Sequence, residues 1–129
     1  MSYNGKRDTR DYRTRSLSAS SKGRGIAVAN TGSPGTLIHT ALDSQAANEW
    51  DAIALYAVNN SGSAVKLTVE WGGTDTADQI EVTIQPESGL VEVIPELVLQ
   101  DEAPVRAFAA TANAISLYGV VRRYGDSRK

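Results

Sequence analysis

The sequence predicts an all-β fold, an antiparallel β-sandwich that carries an extended N-terminal arm. Apolar and polar residues alternate in several short segments after Gly35, and turn residues separate these segments at intervals of about 8–12 residues. The sequence shows no amphipathic helix of three turns. A chain of 129 residues accommodates one such domain with appendages and a modest core. The pattern leaves open whether the strands follow a jelly-roll or an immunoglobulin-like order.

Residues 1–34 form the predicted arm, and its charge is opposite to that of the body. Residues 1–25 carry seven basic and two acidic side chains, whereas residues 26–121 carry two basic and twelve acidic ones. Because the arm is polar and rich in Ser and Gly, it buries too little apolar surface to offset its ordering entropy, and we expect it to be disordered when free. The predicted partner-binding residues are Lys6, Arg7, Arg10, Tyr12, Arg13, Arg15, Lys22 and Arg24.

Three kinds of role fit this arm. Its cations and tyrosines can follow a phosphate backbone and stack on bases, or they can bind carboxylates on an acidic protein surface. The segment can also serve only to keep the chain soluble. The twelve acids of residues 26–121 would repel the phosphates that the arm attracts, so a protein partner is favoured over nucleic acid.

The first two predicted strands follow Gly35. In "TLIHTAL" the pattern places Leu37, His39 and Ala41 on one side of a strand. Trp50–Val58 is apolar on both faces, which is typical of a strand that is covered on each side.

The clearest strand is "AVKLTVEWGG", which follows the turn signal "NNSGS" (Asn59–Ser63). Its apolar and polar side chains alternate, which predicts a sheet with one face on the core and one face in water. The inward set is Val65, Leu67, Val69 and Trp71, and the outward set is Lys66, Thr68 and Glu70.

The remaining strands complete the predicted domain. Residues 80–85 and 90–94 flank the turn "PESG", and Pro95 ends the second of these strands. "VRAFAAT" and "AISLYGVVRRY" form a last hairpin around "AN". The β-sandwich therefore spans residues 35–124, and residues 125–129 form a short basic C-terminal tail.

A search for reactive groups predicts no catalytic, cofactor or metal residue. His39 is the one histidine and the chain has no cysteine, so most zinc sites are excluded and His39 is interpreted as a partly buried residue with one backbone partner. A catalytic triad built on His39 lacks the "GxSxG" turn. The spacing of Asp75, Asp78 and Glu81 can hold Ca²⁺, but a solvated acidic loop is favoured and ion binding there stays open. We therefore expect a protein that is not an enzyme.

The N-terminal residues give no targeting signal. "MSYNGKRDTR" has no apolar stretch after its charges, and no segment has the apolar length of a membrane span. We expect a soluble chain that is made inside the cell and has no membrane association. A chain without cysteine suits a reducing or an oxidising compartment equally.

Three segments carry a resemblance to a known group of proteins. They are "LYAVNNSGSAVKLTVEWGG", "DQIEVTIQPESGLVEVIPELVL" and "VRAFAATANAISLYGVVRR", and they cover roughly Gly35 to Arg123. In strand texture and in the turns "NNSGS" and "PESG", this region resembles small virion structural proteins of tailed bacteriophages. Within that group we assign it to the capsid decoration type, also called cement or auxiliary capsid proteins.

The resemblance implies a non-enzymatic protein that binds the major capsid protein on the outside of an icosahedral shell and stabilises it. It also implies a homo-oligomer, taken as a trimer, found on the capsid surface and in the host cytoplasm during assembly. A head–tail connector or tail protein and a single-stranded nucleic-acid-binding module are the alternatives. Under the first hypothesis, deletion of residues 1–25 leaves the sandwich folded and abolishes attachment to shells.

Overall fold

The computed structural model describes residues 10–44 and 48–126. Within these ranges the chain forms nine β-strands and one short 3-10 helix, η1. Their bounds are β1 Arg10–Arg15, β2 Ile26–Ala27, β3 Thr36–Thr40, β4 Trp50–Asn59, β5 Val65–Trp71, η1 Thr76–Asp78, β6 Gln79–Ile84, β7 Val91–Leu99, β8 Pro104–Ala109 and β9 Ile115–Asp126. No helix of this part of the chain has the length and apolar character needed to cross a membrane.

Two antiparallel sheets form the fold. In sheet A, β1 and β2 lie along one side of β9, and β4 and β7 follow on the other side. Sheet B has the order β3–β8–β5–β6. Strands of both sheets contribute side chains to one common core, which confirms the predicted antiparallel β-sandwich.

The strand order is that of a jelly roll. β1 and β2 pair with neighbouring stretches of β9, residues 121–126 and 116–117, so they act as one interrupted edge strand. If β1 and β2 together are numbered as strand 1, then β3–β9 become strands 2–8. In this numbering the strand order is 1-8-3-6 in sheet A and 2-7-4-5 in sheet B. This double Greek-key order decides between the two possibilities that the sequence left open.

Most turns lead from one sheet to the other, and this corrects the predicted hairpins. "NNSGS" connects β4 of sheet A to β5 of sheet B, and residues 110–114 connect β8 of sheet B to β9 of sheet A. Among the strands of the described ranges, β5 and β6 are the one consecutive pair that is hydrogen-bonded together. Turn residues fix where the chain reverses, but the packing of both sheets decides which neighbour the next strand finds.

The core lies between the two sheets. Its largest fully buried apolar side chains are Leu17, Ile38, Ile53, Leu55, Leu67, Ile84, Ile94, Ile115 and Leu117. Trp71 packs against this core and is partly buried, as expected for the end of the inward set of β5.

The predicted faces of β3 are wrong. Leu37 is exposed and Ile38 is fully buried, together with His39. The register between β3 and β8 shifts between Leu37 and His39, and such a bulge interrupts the simple alternation of the two faces.

The predicted outward face of β5 is also wrong in part, because Thr68 and Glu70 are buried. The carboxylate of Glu70 accepts hydrogen bonds from the hydroxyl of Ser33 and from the backbone N–H of Gly35. The chain that precedes β3 therefore covers this part of sheet B, and it supplies the donors that a buried carboxylate requires.

β7 continues through Pro95 instead of ending before it. Residues 53–55 of β4 face residues 94–97 of β7, so the longer β7 stretch forms a bulge that contains the proline. β7 is an edge strand of sheet A. A proline is tolerated at an edge and at a bulge because no ladder hydrogen bond from its nitrogen is required there.

Residues 10–34 lie against the sandwich, which differs from the predicted boundary between arm and domain. β1 and β2 pair with β9, and Leu17 and Val28 are core residues. β9 also continues to Asp126, two residues past the predicted end of the domain. Disorder of residues 1–34 in the free protein stays a prediction. Deletion of residues 1–25 would remove a strand and a core leucine along with the cations, so it would not separate attachment from stability.

Candidate partner-binding face

The outward side of sheet A is rich in aromatic and apolar side chains. Odd-numbered residues of β4, such as Ile53 and Leu55, are buried in the core, so the even-numbered residues point outward, next to the even-numbered residues of β9. We call this surface the outer face. It comprises Trp50, Tyr56 and Val58 of β4, Tyr118, Val120, Arg122 and Tyr124 of β9, and Tyr12 of β1.

Three aromatic rings form a row across the outer face. The register aligns Trp50, Tyr124 and Tyr12 on the neighbouring strands β4, β9 and β1. The ring centroids of Trp50 and Tyr124 are 5.5 Å apart in a stacked arrangement, and those of Tyr124 and Tyr12 are 5.2 Å apart. Such pairs contribute about 0.5–1.5 kcal/mol each beyond their burial. Tyr12 ends the row at the sheet edge and is 55% exposed, so its ring is accessible to a partner.

Arg122 links the strands of the outer face. Its guanidinium carbon lies 6.0 Å from the ring centroid of Tyr12. Its Nη1 donates to both carboxylate oxygens of Glu96 on β7, each at 2.8 Å, and this hydrogen bond raises the pKa of Arg122. The ion pair spans β4, which lies between β9 and β7. Because both side chains are open to solvent, the pair orients Arg122 more than it stabilises the fold.

The apolar surface extends onto β7. Val98 lies opposite Ala52 of β4 and is exposed, as is Leu90 just before the strand, whereas the exposed Leu97 lies opposite the core residue Ile53 and points to the other side of the sheet. Adjacent exposed apolar side chains mark interaction surfaces, whereas single ones are ordinary. β7 is also an edge strand, so one row of its backbone groups faces away from sheet A.

The predicted partner-binding residues of the arm divide between two sides of β1. Tyr12 lies on the outer face, whereas Arg13 and Arg15 alternate with it and are exposed on the other side of the strand. Lys22 and Arg24 are exposed in the loop between β1 and β2. The remaining three predictions fall outside the description: Lys6 and Arg7 as whole residues, and Arg10 in its side chain.

The outer face itself was missed when the binding residues were predicted from sequence. The available signal was β4, whose two apolar faces predicted a cover on each side. In the structure the odd-numbered side of β4 packs in the core, whereas on the even-numbered side Ala52 and Ala54 are buried and Trp50, Tyr56 and Val58 are partly exposed. The partly exposed aromatic and apolar residues make this second face of β4 a candidate binding surface.

A buried polar chain links the arm to sheet A. His39 is fully buried; its Nδ1 accepts a hydrogen bond from the backbone N–H of Ser18 at 2.9 Å, so its Nε2–H donates to Asp51 Oδ2 at 2.8 Å. Asp51 also accepts hydrogen bonds from Arg123 Nε at 2.7 Å, Arg123 Nη2 at 2.9 Å and the backbone N–H of Leu42 at 3.2 Å. The predicted backbone partner of His39 is confirmed, although the ring is fully rather than partly buried.

The hydrogen bonds and charges around Asp51 favour its ionised form. Burial acts to raise the pKa of Asp51, but the hydrogen bonds and charges of Arg123 and His39 outweigh it and lower the pKa to about 2. The hydrogen bond with Asp51 in turn raises the pKa of Arg123.

The geometry of His39 is that of a structural residue. A histidine that acts as a general base needs one ring nitrogen directed at the proton it removes. In this structure Ser18 occupies Nδ1 through its backbone and Asp51 occupies Nε2. Ser18 Oγ is itself an acceptor for the backbone N–H of Thr40 at 2.8 Å.

The acidic loop before β6 has internal partners. The carboxylate of Asp78 accepts the backbone N–H of Asp75 at 3.0 Å, and Glu81 pairs with Lys66 at 3.1 Å. In residues 10–44 and 48–126, no three His, Cys, Asp or Glu side chains converge as a metal site would require.

Comparison of the chain with protein-family models, with curated proteins and with solved structures gave no match. The interpretation of the outer face therefore depends on its geometry and composition.

Proposed function

We propose that this protein is a non-enzymatic capsid decoration, or cement, protein of a tailed bacteriophage. It binds the major capsid protein on the outside of the icosahedral shell. The observation that carries the proposal is the aromatic and apolar outer face of sheet A, which ends at the exposed ring of Tyr12 on the edge strand β1. The resemblance of residues 35–123 to virion structural proteins of such phages supports the same assignment.

Attachment follows from the chemistry of the outer face. Burial of its apolar side chains contributes about 25 cal/mol per Å² removed from water, and the exposed Tyr12 offers a ring to the same contact. Arg13 and Arg15 lie on the other side of the β1 edge, where each exposed ion pair adds only about 0–1 kcal/mol, so these cations steer the approach of the partner.

Stabilisation of the shell follows from repetition. If the protein bridges neighbouring capsid subunits, separation of those subunits requires that its contacts break. Many copies on one shell, and a homo-oligomer such as a trimer, raise the effective affinity without a new contact. In this proposal the protein occurs on the capsid surface of the virion and, during assembly, in the host cytoplasm.

Two substitutions of equally exposed residues test the outer face. Tyr118 on β9 and Leu37 on β3 are both 38% exposed, but Tyr118 lies on the outer face and Leu37 lies on sheet B. Binding to purified shells that lack the protein is measured by co-sedimentation. We expect Tyr118→Glu to weaken binding at least tenfold and Leu37→Glu to leave it unchanged. Equal binding by both variants would overturn the role of the outer face.

Copy number separates the proposed role from another place in the virion. Mass spectrometry of purified particles should find hundreds of copies for a decoration protein and about six to twelve for a connector ring. A count in the lower range would overturn decoration in favour of the connector.

Single-stranded nucleic acid binding is the second candidate, and the position of Tyr12 favours it. The exposed ring of Tyr12 at the edge of sheet A can stack on a base, while Arg13 and Arg15, on the other side of the same edge strand, can bind phosphates of a strand that wraps around this edge. A gel shift with single-stranded DNA that falls steeply with salt would support this candidate against the capsid proposal.

A further inference from the structure

A pocket lies at the end of β1, on the opposite side of sheet A from the outer face. Its volume is about 360 Å³, and it opens to solvent. Its polar lining consists of two arginines, three serines and one histidine: Arg15, Ser16, Ser18, Ser20, His39 and Arg123.

Cations are concentrated on this side of the sheet. Arg13 lies directly opposite Arg123 in the β1–β9 register, and Arg15 follows two residues later on the same side of β1. Like charges that face each other across strands are destabilising. Asp51 offsets the charge of Arg123, and an anion bound in the pocket would be attracted by the guanidinium groups of both Arg15 and Arg123.

Arg123 lines this pocket and has donors that Asp51 does not use. A guanidinium has five N–H groups, and Asp51 takes one from Nε and one from Nη2. In the described part of the chain no acceptor is bonded to Nη1, while the side chain is 27% exposed and lines the pocket. The Nη1 and Nη2 edge is therefore free to bind both oxygens of an oxyanion.

The chain of hydrogen bonds behind Arg123 fixes its orientation. Asp51 is buried and holds the guanidinium, while His39 holds Asp51 and is itself held by the backbone of Ser18. A cation that is already oriented loses little conformational entropy when a ligand binds. Arg123 is therefore preorganised for ligand binding.

Ser18 and Arg15 complete the set of donors. Ser18 Oγ accepts the backbone N–H of Thr40, so its own hydroxyl hydrogen is left to donate elsewhere. Arg15 is exposed at the end of β1 and lines the same pocket. Together with Arg123, these residues surround the pocket with donors that come from β1, from the loop after it and from β9.

We propose that this pocket is an oxyanion site that binds a carboxylate projecting from an acidic segment of a partner protein. A carboxylate matches the planar edge of Arg123 in a two-bond arrangement. A nucleic acid would bring many phosphates near the acidic body of residues 26–121, which repels them, whereas a single projecting carboxylate avoids that repulsion. The site is distinct from the outer face, and it can be tested without any shell.

The test uses the full ¹⁵N-labelled chain and four probes at equal ionic strength. The probes are sodium acetate, an acetylated and amidated Gly-Glu-Gly-Glu-Gly peptide, inorganic phosphate and, as the blank, sodium chloride. We expect the peptide and acetate to shift the Ser18 amide and the Arg123 Nε–H resonances in a saturable manner. Saturation by phosphate alone would overturn the carboxylate assignment, and the absence of shifts with every probe would overturn the site.

Three variants separate the pocket from the general charge of the protein. We expect Arg15→Gln and Arg123→Lys each to weaken peptide binding at least fivefold. Arg122→Gln removes the same single charge from the outer face, and we expect it to bind the peptide like the unmodified protein. Arg123→Lys also disturbs the hydrogen bonds to Asp51. If Arg123→Lys does not fold, Arg15→Gln alone decides the result. Equal losses of peptide binding in Arg15→Gln and Arg122→Gln would overturn the proposal.

Discussion

Arg123 on β9 donates two hydrogen bonds, at 2.7 and 2.9 Å, to the buried carboxylate of Asp51 on β4. The two residues are directly opposite each other in the β4–β9 register. Asp51 in turn accepts a hydrogen bond from His39 of sheet B, and His39 accepts one from Ser18 of the arm, so this network joins the two sheets and the arm. The cost of placing a carboxylate in the interior is offset only while these donors remain.

The first prediction concerns the pH dependence of stability. The pKa of Asp51 falls from 3.8 to about 2 on folding, so its ionised form stabilises the folded state above pH 4, and this contribution is lost as the pH falls toward 2. At neutral pH the contribution is roughly 2 kcal/mol. Urea unfolding of the unmodified protein and of Asp51→Asn, measured from pH 7 to pH 2.5, should show a stability difference that shrinks with acid. A difference that stays constant over this range would contradict the assignment.

A second prediction concerns the place of the arm in the fold. Leu17→Ala should lower the free energy of unfolding by about 3 kcal/mol, because it leaves a cavity in the core. Leu37→Ala removes the same atoms from an exposed position and should cost less than about 1 kcal/mol. Chemical denaturation of both variants gives the comparison. Equal losses of unfolding free energy in the two variants would show that Leu17 is not part of the core.

The third prediction concerns the buried carboxylate of sheet B. Glu70→Gln keeps an oxygen for the N–H of Gly35 and offers an amide N–H that Ser33 can accept, so two charge-assisted hydrogen bonds become neutral ones and stability falls by about 1–2 kcal/mol. The control is Glu81→Gln on the neighbouring strand β6, where the ion pair with Lys66 is exposed and is worth about 0–1 kcal/mol. Thermal unfolding should place Glu70→Gln well below the control. Equal melting temperatures would mean that the buried contacts contribute nothing.

The fourth prediction concerns close packing at β9. A Cβ on Gly119 would overlap the carbonyl oxygen of Ala54 and would approach Leu17 Cδ1 to 3.1 Å, so Gly119→Ala should destabilise the protein by about 1–3 kcal/mol. A Cβ on Gly62 would meet no atom within 4 Å, so Gly62→Ala should change stability by less than about 0.5 kcal/mol. Denaturant midpoints distinguish the two variants. A tolerated alanine at Gly119 would show that β4 and β9 are less closely packed than described.

Local pattern predicted the elements of this fold better than their arrangement. Alternation identified β5 and β6, and the apolar length of β4 was recognised, because each depends on neighbouring residues. The burial of Glu70 was not predictable, since its partners lie more than thirty residues earlier in the chain. Leu17 was missed because one leucine in a basic, serine-rich segment gives no periodic signal.

The candidate sites were predicted only in part. The cations of the arm were identified from their density, but their division between two sides of β1 depends on pairing with β9. The Asp51–Arg123 pair joins residues that are 72 positions apart, and no local spacing connects them. Tyr12, Trp50 and Tyr124 form a row only because three strands bring them into register.

The pairing of β1 with β9 has a kinetic consequence. Arg10 is the partner of Asp126, so this edge of sheet A joins positions more than a hundred residues apart. Pairing of such distant residues requires a large loss of chain entropy before the new contacts stabilise the fold. All-β sandwiches with many distant contacts therefore fold in milliseconds to seconds. We expect sheet B and the β4–β7 pair to form early, and the β1 edge to join last. Until it does, the groove that receives Leu17 stays open, and a nascent chain at this stage would be at its most vulnerable to proteolysis.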